Sequence, residues 1–217
     1  MVVIPGIEGA DAESVKEQYE KVKDLNPEGW VHLDITDGKF SPAVNWGSPA
    51  ELSSLVASRK SLSTKFELHL MVEEVEKVLD GWLKTGLVKR VIVHLEAMTD
   101  PVFVAAKCKE YGVEPMLSIK PETEVEGLFA HKDDFRSFQV LAVAPGWAGQ
   151  KFGEEALKKI AWIREKIPNA IIEIDGGINP ETARKCFEAG GSVLVSTSYI
   201  QNSPDPKEAY NSLVVSR

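Results

Sequence analysis

A closed (β/α)8 barrel is the fold class that the sequence predicts, and three features carry that prediction. Eight short runs of β-branched and other apolar residues recur along the chain, separated by turns and amphipathic stretches. Within those stretches the apolar residues repeat at spacings of three and four, as a half-buried helix requires. Strands alternating with helices imply parallel pairing through right-handed crossovers, and 217 residues suffice for eight such units in one domain, 1–217.

Taken in order, MVVIPG (1–6) is the first strand and AESVKEQYEKVKDL (12–25) the first amphipathic helix. WVHLDIT (30–36) and KFELHLMV (65–72) are the second and third strands, with the helix VEEVEKVLDGWLKTG after the third. RVIVHLEA (90–97) is followed by DPVFVAAKCKEYG, which closes on Gly112, a residue suited to a left-handed C-terminal position. VEPMLSI (113–119) leads into EVEGLFAHKDDF, a short, glycine-containing helix that makes the fifth unit the weakest. SFQVLAVA (137–144) precedes the helix GEEALKKIAWIREKI, and AIIEID (170–175) precedes NPETARKCFEAG. That last helix opens with an Asn179 cap, Pro180 at its first position and Glu181 in its first turn, and it closes on Gly190. SVLVSTS (192–198) is the eighth strand. An open doubly wound sheet is the rival, but the turn Pro5-Gly6-Ile7-Glu8-Gly9 lacks its glycine-rich pattern.

Lys plus Arg total 25 against 33 Asp plus Glu, a net charge of −8, which argues against a nucleic-acid backbone binder. A small anionic substrate remains compatible, because one local positive site is enough. No run approaches the roughly 18 consecutive apolar residues that span a bilayer, and the N-terminus has no signal-peptide pattern. Cys108 and Cys186 fall in helical stretches and read as buried small hydrophobes rather than a disulfide. The expectation is a cytoplasmic protein with neither a membrane nor a nucleic-acid partner.

The polar residues inside the apolar runs point to chemistry. His32 and Asp34 share one pleat face of strand two, as do His69 and Met71 on strand three, and His94 and Glu96 on strand four. Asp175 ends strand seven. A single strand histidine is ordinarily a satisfied core residue. Two imidazoles and two carboxylates converging at the C-terminal face of a barrel instead make a divalent metal site, with Zn, Mn, Fe and Co all suited to the mixed donors. His94 and Glu96 read as an interior polar pair behind such a site. Glycine marks the same rim: Pro145-Gly146-Trp147-Ala148-Gly149-Gln150 after strand six and Gly176-Gly177 after strand seven, with Thr197-Ser198 closing strand eight. Backbone N–H groups there can hold a phosphate on an acidic protein.

The stretches VHLDITDGKFSP, ELHLMV, VIVHLEA, APGWAGQKF, IEIDGGI and VSTSYI, in this order and spacing, resemble the ribulose-phosphate 3-epimerase family. The resemblance covers nearly the whole chain. It implies a ribulose-phosphate-binding (β/α)8 barrel and an isomerase of carbohydrate metabolism in the pentose phosphate pathway. It implies one divalent metal held by His32, Asp34, His69 and Asp175, with no organic cofactor. Asp34 and Asp175 are then also the acid/base pair that inverts C3 of D-ribulose 5-phosphate to give D-xylulose 5-phosphate. The implied substrate-binding residues are His69, Met71, Gly146, Trp147, Ala148, Gly149, Gly176, Gly177, Thr197 and Ser198. A homo-oligomer, from dimer to hexamer, is expected.

The chain departs from the family pattern around the pocket. Of a methionine cluster only Met71 remains, with Thr36 and Leu141 at the other two positions. A Pro-Ser pair on strand one is Pro5-Gly6, an Asn before Pro-Gly is Ala144, a Gly-Ser on strand eight is Thr197-Ser198, and an Asn-Pro on strand five is Lys120-Pro121. These changes spare the metal set and raise three rivals. One is a 3-epimerase of a related ketose phosphate such as a hexulose 6-phosphate. Another is Schiff-base chemistry on Lys120. The last is a metal- and sugar-phosphate-binding barrel without turnover.

Overall fold

In the computed structural model, which describes residues 1–56 and 64–214, eight parallel strands close into a barrel in sequence order. They are β1 (Val2–Ile7), β2 (Trp30–Thr36), β3 (Lys65–Met71), β4 (Val88–His94), β5 (Glu114–Ile119), β6 (Ser137–Leu141), β7 (Ile171–Asp175) and β8 (Val193–Ser196), with β8 pairing back to β1. The helices α1 (Ala12–Val22), α2 (Pro49–Val56), α3 (Val75–Leu83), α4 (Pro101–Glu110), α5 (Glu126–Phe129), α6 (Glu155–Lys166) and α7 (Pro180–Glu188) alternate with the strands. Two more, α8 (Ser198–Gln201) and α9 (Pro206–Leu213), follow β8. The chain is therefore a TIM barrel.

Local chemistry explains the helix ends. The Asp11 and Asp100 side chains accept from Ser14 N and Phe103 N, satisfying N-terminal amides of α1 and α4. Asn179 and Thr182 form a reciprocal capping box on α7, with Pro180 just inside. Gly112 and Gly190 take the left-handed conformation after α4 and α7, at φ 68° and 106°.

Strand alternation divides the interior in two. Phe66, Leu68 and Leu70 of β3 face outward into the apolar layer beneath the helices, where Phe66 packs on Tyr19 of α1. Glu67, His69 and Met71 face the barrel axis. That axis is polar rather than aliphatic at mid-height. Arg90 Nη1 lies 2.5 Å from Glu67 Oε2 and 3.6 Å from Glu173 Oε2, and its Nε donates to Glu114 at 2.9 Å. Gln139 Nε2 donates to Glu173 at 3.1 Å, and Gln139 Oε1 accepts from Ser118 Oγ at 2.6 Å.

Several strand ends differ from the sequence expectation: β8 stops at Ser196, so Thr197 and Ser198 lie beyond the strand at the start of α8, and β3 stops at Met71 rather than residue 72. β1 runs on through Ile7, which pairs with Leu33. β4 stops at His94 because Leu95–Ala97 tighten into a 3-10 turn, so Glu96 lies beyond the strand and accepts from Lys120 N at 2.9 Å. β6 stops at Leu141 rather than residue 144. The Ala142 N–H still reaches Asp175 O, but the Ala142 carbonyl turns to Gly153 N at 2.9 Å, at the returning end of the loop.

Candidate active site

Strand register assembles the acidic and imidazole groups. β2 and β3 pair with Asp34 beside His69, and β7 brings Asp175 to the same His69 ring. His69 Nδ1 lies 2.9 Å from Asp34 Oδ1 and 3.4 Å from Asp175 Oδ2, while His32 Nε2 lies 3.2 Å from Asp34 Oδ1. Ligand atoms of His32, Asp34, His69 and Asp175 all fall within 4.8 Å of one another. Two imidazole nitrogens and two carboxylate oxygens form a donor set that fits a divalent metal. A second acidic group, His32 with Glu67 and Glu173, already has Arg90 as its cation.

Each imidazole is oriented from behind. His32 Nδ1 is held at 2.7 Å by Glu67 Oε1, which leaves Nε2 facing the cluster. His69 Nε2 donates to His94 Nε2 at 2.8 Å. Burial pushes His94 down to about 4, so it is the neutral, accepting ring of that pair. Its other nitrogen faces Glu96 Oε2 at 3.4 Å, and Phe40 covers the ring. At His32, His69 and Asp34 burial disfavours the charged form, yet the pairing outweighs it. His32 is raised well above its ordinary value by Asp34 and Glu67, and His69 is raised by bonds to Asp175 and Asp34. The charge of His32 and the bonds from both rings hold the Asp34 carboxyl below the usual carboxylate range.

The pocket above this cluster is lined by Asp34, Asp175, Met71, Leu141, the loop Ala144–Gln150, Gly176, Gly177, Thr197 and Ser198. Every substrate-binding residue expected from sequence lines it except His69, which lies buried beneath with His32. Gly177 sits at φ 67°, and a Cβ there would meet Phe152 N at 2.5 Å. The β6 loop is stapled internally, with Gln150 Nε2 donating to the Ala144 and Trp147 carbonyls at 2.7 Å. Ser41 and Ala43 of the loop after β2 pack against Gly146.

The departures from the family pattern now have places. A Cβ on Gly6 would stand 1.9 Å from Thr197 Oγ1, so the threonine occupies the room a side chain at residue 6 would need. Thr36 accepts from Asn45 N at 2.7 Å and so fastens the loop after β2. The Lys120 ammonium lies 3.8 Å from the Phe40 ring centroid, outside the residues that line the pocket. Trp46 is buried, whereas Trp147 is 57% exposed on the rim. Sequence reasoning missed Glu8, which lines the pocket, and the interior Glu67, Arg90 and Glu173. Charges on the same pleat face as His69 and Asp175, two residues below each, were the available signal.

A barrel of this topology with a polar cluster at the strand ends defines a (β/α)8 enzyme, and solved structures share the fold. A 3-hexulose-6-phosphate synthase superposes with a TM-score of 0.72 at 14% identity over 98% of both chains. A 3-keto-L-gulonate-6-phosphate decarboxylase from Vibrio cholerae gives 0.73 at 10% identity, over 98% of this chain and 94% of the other. The family model for the ribulose-phosphate 3 epimerase family matches residues 2–201. A ribulose-phosphate 3-epimerase from Candida glabrata is 31% identical, covering 95% of this chain and 88% of the relative. One from Mycobacterium tuberculosis is 30% identical over 98% and 91%. The chain belongs to the ribulose-phosphate 3-epimerase family and is an isomerase.

Proposed function

We propose that this protein interconverts D-ribulose 5-phosphate and D-xylulose 5-phosphate by proton transfer at C3. One observation carries the reading: two carboxyls from separate strands, Asp34 of β2 and Asp175 of β7, flank the same His69 nitrogen and both line the pocket. Inversion next to a carbonyl removes the C3 proton on one face and returns a proton on the other. One aspartate begins as the carboxylate base and takes the proton, leaving a planar enediolate. The other begins as the carboxylic acid and delivers its proton to the opposite face, and the roles exchange for the reverse reaction. His32, Asp34, His69 and Asp175 would hold one divalent metal, Zn, Mn, Fe or Co. When bound, it supplies charge stabilisation for the oxygens next to the reacting carbon. The glycine-rich rim and Ser198 take the phosphate through backbone N–H groups.

The same reading makes the chain one domain over 1–217, with no organic cofactor, working in the cytoplasm as a homo-oligomer between dimer and hexamer. No helix among the described residues is long and apolar enough to cross a membrane. The test is incubation with D-ribulose 5-phosphate in D2O, with the C3 proton followed by NMR. Deuterium is expected at C3 of both epimers, and Asp34→Asn or Asp175→Asn should each lower the rate by at least about 10²-fold. Turnover surviving both substitutions would sink the mechanism. Calorimetric titration of chelator-stripped protein reads the metal separately, with one ion bound per chain expected and binding lost in His32→Ala.

A further inference from the structure

The pocket holds a third carboxyl that the two-aspartate chemistry does not use. Glu8 stands just past the end of β1, half-buried, and lines the cavity together with Asp34 and Asp175. Its Oε1 accepts from Ala148 N in the β6 loop at 3.2 Å. Its backbone is clamped from both sides by one residue of α1, since Gln18 accepts from Glu8 N at 3.1 Å and donates to the Glu8 carbonyl. This side chain is aimed into the pocket by a fixed backbone, and among the described residues no lysine or arginine lines that pocket to neutralise it. Burial and the neighbouring Asp34 carboxylate push its acidity to about 7. Beyond the Ala148 N–H, no hydrogen-bond donor meets this carboxyl among the described residues, which leaves acceptor capacity for a ligand in the pocket.

Order along the pocket identifies that ligand. The reacting carbons belong at Asp34 and Asp175, and the terminal phosphate belongs at the rim of Gly176, Gly177 and Ser198, next to Ala148. Glu8 lines the same pocket as both aspartates and bonds Ala148 of the β6 loop beside the rim, so its carboxyl is shared between the two groups. In a 5-phosphoketopentose the group between C3 and the phosphate-bearing C5 is C4 with its hydroxyl. We propose that Glu8 contacts the substrate and reads the configuration at C4 by hydrogen bonding that hydroxyl. This rests on the reading of the site given above. A buried carboxyl built to bond a hydroxyl discriminates strongly, because the wrong configuration leaves the carboxyl unpaired.

The test compares D-xylulose 5-phosphate with its C4 epimer, L-ribulose 5-phosphate, in the wild type, Glu8→Ala and Glu8→Gln proteins. Exchange of the C3 proton into D2O gives kcat and KM for each sugar. The wild type should prefer the D-xylulose compound. Glu8→Ala should lose on the order of tenfold or more in kcat/KM for that sugar, through KM, with little change for the epimer. Glu8→Gln keeps an accepting oxygen and should recover most of the preference. An alanine variant that weakens both sugars equally makes Glu8 a fastener of the β6 loop only. One that binds both more tightly makes it a competitor for the phosphate N–H. Either result overturns the proposal while leaving the epimerase reading intact. A wild type that exchanges no C3 proton overturns that reading and this inference with it.

Discussion

Gly6 and Thr197 show how two single positions constrain each other across the β1–β8 seam. The threonine hydroxyl sits where a Cβ on residue 6 would go, so a larger residue at 6 requires a smaller one at 197. Gly6→Ala should cost about 1–3 kcal/mol of stability by overpacking, and much less in a Thr197→Gly background. A double-mutant cycle in urea checks this, and additive costs would refute the coupling. Thiols at the same scale behave as sequence suggests. Burial pushes both Cys108 and Cys186 up to about 12. Iodoacetamide at pH 8 should therefore leave the folded protein unmodified and label both thiols in urea. The sign of the linkage follows: unfolding releases thiol protons from about pH 9 upward, so stability falls between about pH 9 and 12.

Among the elements, α7 is the one that joins helix capping to the site. Asn179 accepts from Glu181 N and Thr182 N, and Thr182 Oγ1 donates to the Gly177 carbonyl at 3.1 Å. The capping box thus fixes a glycine on the pocket rim. Asn179→Ala should destabilise the fold by about 1 kcal/mol and raise KM for a phosphorylated substrate more than it lowers kcat. Thermal unfolding and steady-state kinetics read the two effects, and an unchanged KM would separate the cap from the rim. The 3-10 turn Leu95–Ala97 is a comparable device. It takes Glu96 off the strand and lets it bond the backbone of Lys120, whose ammonium is left over the Phe40 ring.

Across the whole barrel, a polar column runs along the axis beneath the site. Arg90 faces Glu67 and Glu173 from the centre, and Glu67 in turn orients His32. Burial and the nearby Glu67 raise Glu173 well above the carboxylate range, and Arg90 lies closer to Glu67 than to Glu173. Arg90→Met leaves the buried Glu67 charge with only its bond to His32, and the expected loss is about 3–5 kcal/mol by chemical denaturation. A loss below about 1 kcal/mol would mean that the column is not held by this cation.

How much of this was open to reading from one chain depends on the range of the forces involved. Barrel topology was legible because strand alternation, helix periodicity and caps such as Asn179-Pro180 are local, and parallel crossovers have one hand. The cluster of His32, Asp34, His69 and Asp175 was legible for a similar reason, since period-two spacing and strand ends place each residue at one face. The ends of β4 and β6 were not, because they are decided by Lys120, Asp175 and Gly153, partners distant in sequence. Glu8 was passed over as a turn residue; only Gln18 from α1 and Ala148 from the β6 loop aim it into the pocket. The His69–His94 bond and the Gly6–Thr197 interlock likewise arise across strands. Periodicity along the chain thus settles which residues face inward, while closure of the barrel settles which inward residues meet.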